Sequence, residues 1–456
     1  MTLVRPRLTD YYGVMVAQAD VDFAIPFLDE DLPLAVDPFL LWKSPSQQDN
    51  ALHIAVINAF NHLGSLTRAG RDDEAAKLLI AASECDEVGL GLSHERRGKR
   101  IGRGTAQEIL TLFRDIPKYR EGGFVHIEEI QLFVDQIGRD RISDLTCSFI
   151  KSFLIDFTID QCDKYKIPTQ ESEVTAVYRD HSNTFESERM RLPINPEDKK
   201  PLVFVPKRWL RRVPWLNFDD YFSSYCPAER VDPSGKPDRV RVLTFNRQNY
   251  DVVRDYVTTK ELERNDCKND PLFTQIPVTS ARASLKAIQQ LPTGITDSND
   301  KKYEREISRL LASLLYPQLD FAKSQSRTDS GALIRDLVFY NNPKHPFPSE
   351  LLREYDSRQI VFELKNVSAL EREHINQLNR YLKDDFGRFG VLVTRNSPSK
   401  AMKRNLVDLW SGRRVCVLTL TDADLEQMVQ LYESRQRDPV DVLNRNYVEF
   451  MRECPS

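Results

Sequence analysis

The sequence predicts an α/β protein: a C-terminal mixed sheet flanked by helices, preceded by a mostly helical N-terminal region and a mixed middle region. Three observations carry this. Residues 296–456 alternate helix-like and strand-like apolar periodicity. Residues 48–165 repeat apolar side chains every three or four positions. Polar, proline-containing stretches at 191–201, 227–238 and 291–300 interrupt the pattern. They suggest regions 1–190, 191–295 and 296–456.

At 456 residues the chain exceeds one ordinary core. Its composition is globular: 41% hydrophobic, 29% charged, net charge −4. No run approaches the ~18 apolar residues of a membrane span. "MTLVRPRLTDYYG" has no apolar core behind its basic residues, so neither a membrane partner nor a signal peptide is expected. Seven scattered cysteines with no CxxC pair fit the reduced thiols of a cytoplasmic protein better than a disulfide framework or a zinc site. The seven histidines form no paired-ligand spacing, and His53 and His62 read as core or surface positions of a helix. Mild acidity gives no global attraction for nucleic acid, so such contacts must come from local basic patches.

Residues 1–45 mix short apolar runs with Pro and Asp and read as extended segments. "NALHIAVINAFNHLGSL", "DEAAKLLIAASE", "TAQEILTLFRD" and "ISDLTCSFIKSFLIDFTIDQCDKY" read as helices. In the middle region "LVFV" and "RVLTF" look strand-like, and a helix is expected near 280–290. The last region reads in the order α-β-β-β-α-β-α-β. Its segments are "DKKYEREISRLLASLLY", "QLDFAKSQ", "ALIRDLVFYN", "RQIVFELKNV", "ALEREHINQLNRYLKD", "RFGVLVTR", "SKAMKRNLVDLW" and "RRVCVLTL". That order predicts a mixed sheet with flanking helices.

Polar residues lie on or beside apolar faces in this last region. In "IVFELKNV", Ile360, Phe362 and Leu364 point one way, while Val361, Glu363, Lys365 and Val367 point the other. A lone charge between valines would be costly. Asp336 shares its face with Ile334, Val338 and Tyr340. On the helix starting near Tyr303, Glu304 falls within the stripe of Tyr303, Ile307, Leu310, Leu311 and Leu314, while Glu306 faces away. Gln377 sits at the edge of the stripe made by Leu370, Leu378, Tyr381 and Leu382. Acids gathered at one interior region call for a counter-ion, and carboxylate oxygens are what Mg²⁺ prefers. With such an ion, a lysine beside the acids suits hydrolysis of a phosphodiester.

Asp336 followed by the E-x-K of Glu363-Leu364-Lys365, after a helix bearing Glu304, resembles the PD-(D/E)XK nuclease superfamily, the restriction-endonuclease-like fold. "YEREISRLL" is similar to the first-helix pattern of Mrr-like restriction enzymes, and "HINQLNRYL" to the Gln-bearing helix that follows the E-x-K strand in several branches. The resemblance covers about residues 300–420. It implies Asp336 and Glu363 as metal ligands, Lys365 as the catalytic lysine, Glu304 as a supporting or second-metal carboxylate, and Gln377 beside the site. Two departures stand out: "IRD" replaces "PD", and "NNPKHPFPSELLREYDS" fills the gap between the two strands, where a tight hairpin would be shorter.

Three basic segments are candidates for holding nucleic acid. "ERRGKRIGRG" offers Arg97, Lys99 and Arg100 ahead of a helix, with a solvated basic loop as the alternative. "PKRWLRRVPW" interleaves Arg208, Arg211 and Arg212 with Trp209, either to hold phosphates and stack a base or as an amphipathic segment with inward tryptophans. Arg327 and Arg335 lie close in sequence to Asp336, where they can steer phosphates.

The expectation is therefore a Mg²⁺- or Mn²⁺-dependent nuclease, DNA preferred over RNA, with anti-phage defence or restriction as the setting the resemblance implies. A homodimer or larger assembly would suit double-strand cutting. The alternatives are a non-catalytic nucleic-acid-binding or assembly module that keeps the fold, and a repair or mobile-element nuclease.

Overall fold

The computed structural model describes residues 2–91, 100–270, 281–327, 334–382, 386–434 and 437–455. The chain divides into two units, one of residues 7–272 and one of residues 1–6 with 273–456. The break suggested near 190 falls inside the first unit, within a β-hairpin. Thr2–Leu3 (β1) belongs to the second unit and is taken up there.

Residues 7–272 are built largely of helices. Gln47–Arg68 (α1) begins where Ser46 Oγ accepts from Asp49 N at 3.4 Å, a cap for an otherwise orphaned donor. Val56, Phe60 and Leu63 recur at helical spacing on it and are buried. Asp72–Ala81 (α2), Arg103–Asp115 (α3), Arg139–Phe149 (α4) and Lys151–Tyr165 (α5) continue the helical run expected over 48–165. Helices α1 and α3 touch at Gly64, where a Cβ would stand 2.3 Å from the Phe113 ring.

Three readings in this unit are corrected. "LVFV" (202–205) is buried but, among the described residues, joins no sheet. Its Leu202, Val203 and Phe204 amides are satisfied by Pro193 O, Glu87 O and Thr158 Oγ1 instead. "RVLTF" lies in the helix Arg239–Gln248 (α6), which Asp238 caps by accepting from Arg241 N at 2.8 Å. A short apolar run does not tell strand from helix, and here the cap decides. The first 45 residues include the short helices Leu8–Tyr12 and Pro38–Trp42 beside extended chain. The strands of this unit are Ala35–Val36 (β2), Gln170–Arg179 (β3), Thr184–Leu192 (β4) and Leu210–Arg211 (β5). β3 and β4 form an antiparallel hairpin, and β2 pairs with β5. Tyr250–Leu262 (α7) closes the described part of the unit's helices.

The second unit opens, after β1, with Ala281–Gln290 (α8) and Asn299–Leu314 (α9). Leu319–Arg327 (β6) and Ile334–Asn341 (β7) follow. Next come Pro346–Tyr355 (α10), Gln359–Lys365 (β8), Arg372–Tyr381 (α11) and Phe389–Thr394 (β9). Lys400–Arg413 (α12), Cys416–Leu420 (β10), Asp422–Ser434 (α13) and Val440–Glu453 (α14) complete it. The sheet runs β1-β6-β7-β8-β9-β10. Neighbours from β1 to β8 are antiparallel, with Leu337 opposite Phe362; β8, β9 and β10 are parallel, with Lys365 opposite Thr394.

Side-chain alternation splits the core as the sequence suggested. Ile360, Phe362 and Leu364 pack with Tyr303, Ile307, Leu310 and Leu311 of α9. Val361 packs in a separate core with Val338 and with Ile375, Leu378 and Tyr381 of α11. Helices thus cover both faces of a mixed sheet. The long gap between β7 and β8, expected as an insertion, contains α10. Pro346 starts this helix, and Phe347, Leu351 and Tyr355 bury it against the α9 side.

Candidate active site

β7 and β8 bring three charged groups together. Asp336 Oδ2 accepts from Leu364 N at 2.9 Å, so the β7 carboxylate is tied to the backbone of β8 between Glu363 and Lys365. Lys365 Nζ lies 2.7 Å from Glu363 Oε1 and 3.9 Å from Asp336 Oδ2. Glu363 is fully buried, in contact with Lys365 and, across the two strands, with the Asp336 carboxyl. One ammonium therefore faces two carboxylates.

Glu304, on the second turn of α9, adds a third acid. Burial raises its carboxyl to about 7, the Asp336 charge adds to this, and Lys365 partly offsets it. Glu363 is pushed up by burial and then by Asp336, and held down in part by Lys365. Burial also raises Asp336, against the pull of Lys365 and the Leu364 N–H. Burial disfavours the Lys365 ammonium, yet Glu363 and Asp336 outweigh it and raise the pKa. All four groups feel one another. Groups shifted by burial and by specific charge partners, gathered at the end of a strand pair, make this cluster the candidate site.

From α11, Gln377 is half-buried and hydrogen-bonds Tyr381, whose hydroxyl is raised by burial first and also feels Glu363 and Asp336. Gln377 thus reaches the site's edge with Tyr381, which the sequence showed only as part of an apolar stripe. His374 accepts from Glu371 N through Nδ1 at 3.0 Å, a local capping contact.

Among the described residues no three His, Cys, Asp or Glu side chains form a ready-made metal site. Mg²⁺ asks for less, one or two carboxylates with retained waters. Asp336 and Glu363 supply two, and the buried oxygens of Glu363 fit such an ion.

A domain of unknown function, DUF8370, matches residues 13–217. Over 62 residues the chain is 34% identical to the putative transposon gamma-delta 80.3 kDa protein of Escherichia coli strain K12. That stretch is 14% of this chain, and the chain spans only 9% of the length of that curated relative. No solved structure matches.

The DUF8370 stretch holds the basic segment 206–215, and there the structure favours the packing alternative. Trp209 is fully buried. Arg208 makes a two-point contact with the buried Asp49, at 3.1 and 2.8 Å. Arg211 pairs with the buried Asp37 at 3.2 Å, and Arg212 lies 3.7 Å from Asp270. These arginines hold structural carboxylates. His53, in the same stretch, is packed inside, and burial lowers its imidazole to about 3.

Arg97 and Lys99 lie outside the described residues. Arg100 is exposed and pairs with Glu84. Arg327 ends β6, and its side chain is outside what the structure describes. Arg335 is buried, its guanidinium 3.8 Å from the Phe386 ring centre and 5.7 Å from that of Tyr381. Among the described residues, then, Asp336, Glu363, Lys365, Glu304 and Gln377 gather at one site. No helix is long and apolar enough to cross a membrane, among the described residues.

Proposed function

We propose that residues 296–456 form a restriction-endonuclease-like, metal-dependent nuclease domain that hydrolyses phosphodiester bonds, with DNA as substrate and Mg²⁺ or Mn²⁺ as cofactor. The observation that carries this is the approach of Lys365 Nζ to both Glu363 and Asp336 on adjacent strands, with Glu363 buried.

Asp336 and Glu363 would hold the ion. When bound, it supplies positive charge to a phosphodiester and lowers the pKa of coordinated water. The protein's own groups do the rest. Lys365 presents an ammonium, kept charged by the two acids, to the attacking water or to the charge developing on phosphorus-bound oxygens. Leu364 N–H fixes the Asp336 carboxylate, so the two acids on β7 and β8 keep their separation. Glu304 can take or release a proton near neutral pH. Gln377 and Tyr381 form a hydrogen-bonded border beside these groups.

Anti-phage defence or restriction in the cytoplasm is the setting we propose. The 62-residue likeness to a protein named as transposon-borne favours a second setting, a mobile-element nuclease. The test is nicking of supercoiled plasmid by the full chain with Mg²⁺, Mn²⁺ or EDTA, beside Asp336→Ala and Lys365→Ala. Metal-dependent nicking lost in both variants supports the proposal. A folded wild type that cleaves neither DNA nor RNA sinks it and leaves a non-catalytic binding module.

A further inference from the structure

Just past the ends of two neighbouring parallel strands, Asn366 and Arg395 converge on one loop. Asn366 follows Lys365 of β8, and Arg395 follows Thr394 of β9, its register partner. Asn366 Nδ2 donates to Pro292 O at 2.8 Å and to Gly294 O at 3.3 Å, and Gly294 N donates back to Asn366 O at 2.8 Å. Arg395 donates to Gln289 O at 2.8 Å and to Leu291 O at 3.1 Å, carbonyls at the end of α8. It also reaches Asn366 Oδ1 at 3.3 Å and Asp422 at 2.9 Å.

The clamped segment, 289–294, is followed by Ile295 and a 3-10 turn, Thr296–Ser298, before α9, whose second turn carries Glu304. Arg395 also lies 5.5 Å from the ring of Tyr303, the residue before Glu304. Helix C-terminal carbonyls need partners from outside the helix, and a guanidinium offers five donors in a fixed fork. Here the fork joins the end of α8, Asp422 at the start of α13 and the β8 strand end in one network, with the Tyr303 ring of α9 beside it. The Arg395 side chain is about 9% exposed, and its bonds to Leu291 O, Asn366 and Asp422 are partly shielded from water.

We propose that Asn366 and Arg395 are positioning residues that lock the segment preceding α9 to the β8 strand end and, with the Arg395 guanidinium beside the Tyr303 ring, so set Glu304 against Asp336, Glu363 and Lys365. Their role in catalysis rests on the proposed nuclease function; the lock itself does not. A one-ångström displacement of a supporting group is enough to cost ~10²-fold in rate.

Two measurements on the full chain separate these parts. Hydrogen exchange read by mass spectrometry on peptides spanning 289–305 is compared in wild type, Asn366→Ala and Arg395→Met. The clamp requires exchange there to speed up at least tenfold in both variants, with Arg395→Lys, which keeps a cation at the α8 carbonyls, recovering part of the protection. Unchanged exchange overturns the clamp whether or not the protein cleaves DNA. If Arg395→Met does not fold, Asn366→Ala and Arg395→Lys carry the comparison. The second measurement is a double-mutant cycle on cleavage with Glu304→Gln. Asn366→Ala is expected to lower kcat ten- to a hundredfold alone and to add little on top of Glu304→Gln. Independent, multiplying effects would show a general structural role and overturn the positioning. A wild type without cleavage removes the nuclease reading, and exchange still judges the lock.

Discussion

Lys365 Nζ stands 2.7 Å from Glu363 Oε1 on β8 and 3.9 Å from Asp336 Oδ2 on β7, so a single ammonium is shared between the carboxylates of two strands. Removing it changes both protonation and chemistry. Lys365→Ala is expected to lower cleavage by ~10²–10⁴-fold if the lysine is a positioned electrostatic group. Without it the buried Glu363 loses its partner, and its pKa moves further up. The variant should therefore fold at pH 6, where Glu363 holds a proton, and lose stability toward pH 8. Thermal melts at both pH values, beside the plasmid assay, check this.

Asp336 has two separable jobs. As Asn it keeps an oxygen for the Leu364 N–H; as Ala it leaves that amide without its partner. Asp336→Asn should abolish metal-dependent cleavage with little change in urea midpoint. Asp336→Ala should abolish cleavage too and cost a further ~1–3 kcal/mol. Equal midpoints for the two variants would mean that the 2.9 Å bond contributes little to stability.

Glu304 makes stability depend on pH. Its folded pKa, about 7, is above the ordinary 4.5. Below 4.5 both folded and unfolded chains are protonated there, and the contribution is complete. Between 4.5 and 7 the unfolded chain releases the proton first, so stability falls as pH rises through the window. The total is no more than ~3 kcal/mol, less for solvent access to a half-buried group. In EDTA, Glu304→Gln should flatten the pH profile of unfolding over this range. A parallel profile would show that Glu304 titrates normally.

Trp209 distinguishes packing from base stacking. Its ring is buried and 5.6 Å from that of Phe153. Trp209→Ala should cost ~3–5 kcal/mol by emptying a core site. Oligonucleotide affinity of the folded variant, measured by fluorescence anisotropy, should stay at the wild-type value. A selective loss of affinity with unchanged stability would return the ring to the nucleic-acid surface.

The sequence made the strand that carries Glu363 and Lys365 legible because alternation is local: the two cores on either side of β8 follow from residues two apart. The α9 stripe was legible for the same reason, with Tyr303, Ile307, Leu310 and Leu311 on one side. The tether from Asp336 to Leu364 N was not, since it depends on the register of β7 against β8. Helix α10 was hidden by its two prolines and its place between strands, though Phe347, Leu351 and Tyr355 already had helical spacing. The arginines at 208 and 211 looked like a phosphate grip because their partners, Asp49 and Asp37, lie far away in sequence. Charge density alone does not say which acid will come to meet it.

Strand β1 has a consequence for how this chain is made and cut. Thr2 and Leu3 pair with Ser324 and Lys323, and Val4 N bonds to Ala322 O, so residues near the start of the chain border a sheet formed by its last third. During synthesis that border strand leaves the ribosome long before β6 exists and must wait while residues 7–272 emerge. A fragment beginning at 273 would expose the outer amides and carbonyls of β6 to any passing strand. Excised versions should therefore carry residues 1–6 joined back by a linker.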